Sequence, residues 1–331
     1  MSTGLMRYVL VLLLLGCGVF HATPARAAIT CSATSMTPLS FGTVNPLASA
    51  TVATSTLTYT CTNSSNSTQS ATVCFSIGEP GGAQTNPRLM SSGTNKLQFQ
   101  LWQDPAHTIV WGSQFFGSPT PLKVNLTLGN RATTGAVKVT LYGQVLDGQT
   151  GAVPGSYADN YLNADTAVSV NSVAGSTAPG ACGSQDNTNF FPFNVTATVS
   201  KTCTVTANPV LDLGTVAAGA ASTSGSNTLS VSCSNSTPFF VGLKPSNNNT
   251  GGQGVMKATA TGNTDSVPYT LYSNSGLTTV WGNTATSTTV GNGVAGSGNG
   301  LSQTLTVYAR TTSTDVTPDT YTDVVTVNVN Y

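Results

Sequence analysis

Few residues in this chain can make or break covalent bonds, and cysteine leads them. Seven cysteines are present. Cys17 falls in an apolar leader, which leaves Cys31, Cys61, Cys74, Cys182, Cys203 and Cys233. None forms a CxxC pair, and no Cys/His cluster has zinc spacing, so metal ligation through sulfur is not expected. An even set in an oxidising compartment reads as disulfides. Beyond the leader the chain has one histidine, His107, and one glutamate, Glu79. His107 sits in the turn Asp104–Pro105–Ala106–His107, where a solvated residue is a better reading than a base. No serine sits in a GxSxG elbow, and nothing pairs two carboxylates on facing walls. The residues point away from an enzyme and imply no cofactor. Calcium at Asp159 or Asp323 has little support without an acidic cluster.

The leader sets the compartment. Arg7 supplies a basic start, Tyr8–Phe20 is a Leu-rich core, and Ala25-Arg26-Ala27 is a small-x-small cleavage site. Residues 1–27 therefore read as a secretory signal peptide. Leu14-Leu15-Gly16-Cys17 loosely resembles a lipoprotein cleavage site, but Leu15 fits it poorly. Cleavage leaves roughly 300 residues, room for two domains. Charged residues make up 7% of the chain and the formal net charge is +0, which argues against a nucleic-acid partner. Short β-branched runs punctuated by Gly, Asn and Pro predict an all-β protein.

An internal repeat organises the rest. Cys31, Leu39-Ser40-Phe41-Gly42-Thr43-Val44 and Cys61 answer Cys203, Leu211-Asp212-Leu213-Gly214-Thr215-Val216 and Cys233 at one constant offset. Further on, Val110-Trp111-Gly112 answers Val280-Trp281-Gly282, and Ser156-Tyr157-Ala158-Asp159 answers Thr320-Tyr321-Thr322-Asp323. The repeat predicts two tandem β-sandwiches, with Trp111 and Trp281 as core anchors. Tyr157 and Tyr321 would lock a sandwich corner through their hydroxyls. It also suggests the bonds Cys31–Cys61 and Cys203–Cys233, and leaves Cys74–Cys182 private to the first copy.

Between the copies lies a strongly alternating stretch. Phe191, Phe193, Val195, Ala197 and Val199 are apolar, while Asn194, Thr196, Thr198 and Ser200 between them are polar. This is the pattern of a strand with one buried face. The Cys–(L/V)x(F/L)GTV–Cys opening and the Tyr-x-Asp closing strand, present twice, resemble the spore coat protein U domain, a family that includes subunits of archaic, Csu-type chaperone–usher pili. The resemblance implies immunoglobulin-like sandwiches that lack a strand, supplied first by a chaperone and then by a neighbouring subunit. It implies as partners a periplasmic pilus chaperone, an outer-membrane usher and the N-terminal donor strand of the next subunit.

The expected organisation follows. Residues 28–200 form an N-terminal adhesin domain completed in cis by strand 190–200. Residues 201–331 form a strand-acceptor pilin domain that lacks one strand. Three residues ahead of Cys31 are too few to span a groove at about 3.3 Å each, so the first domain is expected to donate nothing. The second ends at Tyr331 inside a strand and is expected to need a partner to cover its edge. That combination predicts a tip adhesin, exported to the cell surface, that binds abiotic or host surfaces and supports biofilm. Phe115 and Phe116, between glycines in a loop the second copy lacks, are the first surface-binding candidates. Leu146 and Val153 in the loop 145–154 are the second. Two rival readings are a carbohydrate-binding adhesin, with Asn247-Asn248-Asn249 or Trp102 on a sugar, and a structural coat protein.

Overall fold

A computed structural model describes residues 28–80, 86–115, 120–185 and 188–331. The leader, Cys17 and Phe116 lie outside these residues. The first half contains β1 (Ile29–Met36), β2 (Leu39–Val44), β3 (Thr51–Asn63), β4 (Gln69–Ile77), β5 (Arg88–Ser92) and β6 (Asn95–Trp102). It continues with β7 (Leu122–Leu128), β8 (Val137–Val145), β9 (Gly155–Tyr161), β10 (Thr166–Ala174) and β11 (Phe193–Val199). The second half contains β12 (Cys203–Ala207), β13 (Ser224–Cys233), β14 (Pro238–Pro245), β15 (Gln253–Ala258) and β16 (Ser266–Tyr272). Its last strands are β17 (Val294–Ser297), β18 (Ser302–Thr311), β19 (Tyr321–Thr322) and β20 (Val325–Asn330).

The protein is all-β, and each half is a sandwich of two sheets over its own apolar core. In the first half a sheet of order β1-β3-β8-β6-β5-β9-β11-β2 faces β10-β4-β7. In the second, β12-β13-β18-β16-β15-β19 faces β17-β14-β20. Strand for strand the halves correspond, with two exceptions among the described residues. The second half has nothing in the place of β11, and its counterpart of β2, residues 211–216, forms no strand.

Shared anchors explain why the two sequences fold alike. The indole of Trp111 donates to the Phe75 carbonyl at 2.9 Å, and that of Trp281 to the Val241 carbonyl at 2.8 Å. Both rings are buried, each tying one sheet to the other. The Tyr157 hydroxyl donates to the Val153 carbonyl at 2.7 Å and that of Tyr321 to the Thr317 carbonyl at 2.6 Å. Both hold a corner by reaching back four residues. Disulfides join Cys31 to Cys61 and Cys203 to Cys233, each pair 30 residues apart and directly opposite in its ladder. On the chain-entropy model, closing a loop of that size contributes roughly 3–4 kcal/mol.

Strand β4 departs from simple alternation, because it is buried on both faces. Ala71, Val73, Phe75 and Ile77 join the core. Its other face, including Ser70 and Thr72, lies under the segment 175–185. Gly180 N–H donates to the Thr72 hydroxyl, and the Ser70 hydroxyl donates to the Gly175 carbonyl. The Cys74–Cys182 disulfide pins that segment down. Gly183 approaches so closely that an added Cβ would sit 2.3 Å from the Val170 carbonyl oxygen, so only glycine fits.

Candidate functional site

The site is best read by comparing one groove that is filled with one that is open. In the first half β11 lies between β9 and β2, antiparallel to the former and parallel to the latter. Phe193 pairs with Tyr161, Val195 with Asp159, Ala197 with Tyr157 and Val199 with Gly155. Phe191, Phe193, Val195, Ala197 and Val199 are all buried, whereas Asn194, Thr196 and Thr198 face solvent. Phe193 stacks on Tyr161 with centroids 4.7 Å apart, and Phe191 meets Phe75 edge-on at 6.2 Å. Burying each of the larger side chains contributes roughly 1.5–3 kcal/mol.

The flanks are matched to that strand. On β2, Phe41 and Gly42 oppose the single residue Ala197, a bulge that needs the left-handed backbone of Gly42, at φ 63°. Before β11 begins, Asn189 stitches the edges of both sheets. Its Nδ2 donates to the Cys31 carbonyl, its Oδ1 accepts from Ala33 N–H, and its carbonyl accepts from Val168 N–H. After the strand, Ser200 N–H donates to the Val44 carbonyl at 3.0 Å.

In the second half the same place is an open groove of about 830 Å³. Leu211, Leu213 and Val216 form one wall, Tyr321 and Asp323 the other, and Leu229, Leu271 and Val307 lie at the floor. Gly214 keeps the left-handed turn of its counterpart, at φ 78°, so the wall is shaped although it is unpaired. Asp212, Asp319 and Asp323 line the groove, and no lysine or arginine does. Asp323 is held within the protein: Tyr269 hydroxyl donates to its Oδ2 at 2.5 Å, and Val324 N–H to its Oδ1 at 2.8 Å. Burial, and then the carboxylate beside it, push the Tyr269 hydroxyl far above its ordinary pKa.

The first half solves the same electrostatic problem differently. Arg88 is buried, forms an ion pair with Glu79 at 3.1 Å, and donates to Tyr161 Oη and to the Ile77 and Trp111 carbonyls at 3.0 Å each. It also donates to Gln100 Oε1 and the Gly78 carbonyl. Beside it, Asp159 Oδ2 is buried with no hydrogen-bond partner. Burial raises the Asp159 pKa to about 6, against the opposing pull of the Tyr161 hydroxyl and the Arg88 charge. Sequence reasoning passed over Arg88 and Tyr269. Yet the cross-strand pair Arg88/Phe99 answers Gly254/Tyr269, and aligning the halves residue by residue exposes that exchange.

The surface candidates fall at opposite ends of the first half. Leu146 and Val153 are half-buried, and the loop between them abuts the second half: Asn235 donates to the Gly151 carbonyl at 2.8 Å. Leu146 N–H and Gln149 are bonded to the Gln98 carbonyl, and the Val153 carbonyl is taken by Tyr157. This loop therefore touches the second half through Gly151, while Asp147 and Gly148 at its turn are exposed. Phe115 is half-buried, its N–H bonded to the Ser113 hydroxyl, and Gln114 reaches Ser169 and the Gly183 carbonyl. Ile109 and Leu162, which follow β6 and β9 at the end of the first half away from the loop 145–154, are exposed. Trp102 is half-buried beside His107. Among the described residues no group of three or more His, Cys, Asp or Glu could hold a metal ion.

Fold and groove together define a class: a tandem β-sandwich protein with one sandwich closed by its own strand and one left open. The Spore Coat Protein U domain matches residues 17–162 and again 189–328. The chain belongs to that family. Among solved structures, it is similar to the CsuC–CsuE chaperone–tip adhesion subunit pre-assembly complex from archaic chaperone–usher Csu pili of Acinetobacter baumannii. That match has 15% identity, covers 91% of this chain and 100% of that one, and has a TM-score of 0.49. The CupB6 tip adhesin from Pseudomonas aeruginosa matches at 11% identity over 92% and 94%, with a TM-score of 0.36. CfaE, the adhesive subunit of CFA/I fimbria of enterotoxigenic Escherichia coli, matches at 10% over 78% and 81%, with a TM-score of 0.32. Curated proteins gave no match.

Proposed function

We propose that this chain is an exported pilus tip subunit whose first half carries adhesion and whose second half anchors it to the fibre. One observation carries the reading: β11 fills the first groove from within the chain, while the equivalent second groove is open and apolar. An open edge flanked by exposed apolar residues is a template for strand addition. A periplasmic chaperone would occupy it first, then the donor strand of the next subunit delivered at the usher. The groove is lined by aspartates without a cation, which favours a neutral or basic donor.

Adhesion is assigned to the end of the first half away from the loop 145–154, with Phe115 and the exposed Ile109 and Leu162 as its apolar candidates. Phe116 belongs to the same loop and lies outside the described residues. Several shallow apolar contacts repeated over many fibres add through avidity, which suits abiotic surfaces and biofilm. The experiment compares cells whose fibres carry wild-type chain with cells whose fibres carry Ile109→Ser/Phe115→Ser/Leu162→Ser. The triple variant should assemble normally and attach at least about tenfold less to polystyrene. Equal attachment would remove this end from the adhesive role. Inhibition of wild-type attachment by a free sugar would favour the lectin reading.

A further inference from the structure

The groove holds a feature that apolar strand addition alone does not explain: a carboxylate on its inner wall. In the filled groove, Val195 sits directly opposite Asp159, and one carboxylate oxygen is buried without a partner. In the open groove the same position is Asp323, both of whose oxygens already have donors in the protein. The hydroxyl that acts on Asp159 is that of Tyr161, on the same strand, and it leaves Oδ2 unbonded. The hydroxyl that bonds Asp323 is that of Tyr269, from the neighbouring β16, which stands where the first half has Phe99.

We propose that Tyr269 is a positioning residue that lets the second groove close over Asp323. Its hydroxyl supplies the bond that keeps the carboxylate satisfied once an extended, uncharged peptide covers it. This rests on the acceptor reading above and adds to it the residue that keeps the wall's carboxylate bonded when the groove is occupied. A buried carboxylate without a partner is costly, and charge-assisted bonds offset that cost.

The surroundings are built for the task. Gly254 lies opposite Tyr269, and an added Cβ there would fall 2.0 Å from the Tyr269 Cζ, so the glycine is what admits the ring. No cation reaches the carboxylate. Lys257 on β15 pairs through its backbone with Thr322 and points its side chain outward. The Tyr321 hydroxyl is committed to Thr317, and Asp319 to Ala260 N–H and Asn263. Asp212 on the opposite wall accepts from Gly214 N–H. Among the described residues, Tyr269 is the side chain that donates to Asp323.

The template in the first half also fixes the occupant. Transferred to the second half, it runs parallel to residues 211–216 and antiparallel to 319–323. It places a small residue opposite Tyr321, as Ala197 lies opposite Tyr157, and an aliphatic one over Asp323, as Val195 lies over Asp159. A peptide partner with an acidic residue at that second position is excluded by like charge.

The test uses the full mature chain and a fluorophore-labelled synthetic peptide of the sequence Phe191–Val199. Binding is read by anisotropy, and its location by amide-exchange protection at residues 211–216 and 319–323. Tyr269→Phe should bind about tenfold or more weakly at about pH 7.5. Affinity should return in the double variant Tyr269→Phe/Asp323→Asn, which removes the charge together with its donor. Asp323→Asn alone should bind at least as well as wild type, which controls for folding. Equal binding by Tyr269→Phe, or a loss that persists in the double variant, overturns the role of the hydroxyl while leaving the acceptor groove standing. Failure of the wild-type chain to protect either wall in the presence of peptide overturns the acceptor reading itself.

Discussion

Residues 39–44 and 211–216 share one motif and one backbone turn, yet only the first is a strand. Leu39, Phe41 and Val44 are buried at 0%, 6% and 3% exposure, whereas Val216 is 40% exposed and Leu211 and Leu213 are half-covered. Gly42 and Gly214 hold nearly the same φ. The motif therefore shapes the wall, and the ladder appears only when a neighbouring strand takes its hydrogen bonds. Secondary structure at this edge is conditional on an occupant, which is the physical content of an incomplete sandwich.

The sharpest way to break the comparison is to empty the filled groove. Val195→Asp would bury an unpaired charge at a fully buried site and should cost more than about 4 kcal/mol. The first half should unfold at low denaturant while the second does not. Urea titration reads the two halves separately when one tryptophan is kept as reporter, Trp111 with Trp102 and Trp281 replaced by Phe, or Trp281 with Trp102 and Trp111 replaced by Phe. The matching change Val210→Asp, on the exposed wall of the open groove, should stay within about 0.5 kcal/mol. Equal losses at the two sites would sink the distinction.

Arg88→Met comes next, at about 3–5 kcal/mol, because it removes the ion pair with Glu79 and the donor to several buried carbonyls. The second half has Gly254 at that position and no ion to lose, so the loss should fall on the first transition alone. A double-mutant cycle with Glu79→Gln separates the ion pair from the carbonyl contacts. Smaller again is the reverse experiment, filling the open groove. A copy of residues 190–200 joined behind Tyr331 by a flexible Gly/Ser linker should stabilise the second half by about 2–4 kcal/mol, the burial gain less the ordering cost. Exchange protection at residues 211–216 should rise with it. Stabilisation without that protection would mean the strand had docked elsewhere.

Much of this was legible in the sequence, for physical reasons. The repeat is one set of packing constraints met twice: two opposed cysteines, a tryptophan bonded across the sheets, a tyrosine reaching back to a corner carbonyl. Such constraints tolerate few residue types, so they survive as readable motifs. The alternation in Phe191–Val199 announced a strand with one buried face, and its placement beside Leu39 follows the same logic. What stayed illegible depends on contacts between residues distant in sequence. Nothing local in Val145–Val153 announces that Asn235 would meet it from the other half. Arg88 looks like any surface arginine until Glu79, Tyr161 and Trp111 converge on it. Gly254 and Tyr269 become informative only once the strand pairing sets them face to face.

The smallest expected effect is the most specific to the comparison, because it concerns the carboxylate whose two oxygens are both bonded in one half and whose Oδ2 is left unbonded in the other. Asp159 releases its proton near pH 6 in the folded chain, since burial opposes its charge, and near 4 when unfolded. Between those values the folded form holds the extra proton, so stability falls as pH rises from about 4 to about 6 and then levels off. A shift of that size corresponds to at most about 3 kcal/mol, and the partial exposure of the residue reduces this to about 1–2 kcal/mol. Asp159→Asn removes the charge while keeping the shape. It should stabilise the first half by that amount at neutral pH, have little effect at about pH 4, and flatten the slope between. The reciprocal change Phe99→Tyr carries the second half's solution into the first and, with a hydroxyl now near Asp159, should flatten the slope only if the ring finds room beside Arg88. Denaturant midpoints of the first transition, measured across that pH range for both variants, decide whether the two halves differ by a missing donor or by burial alone.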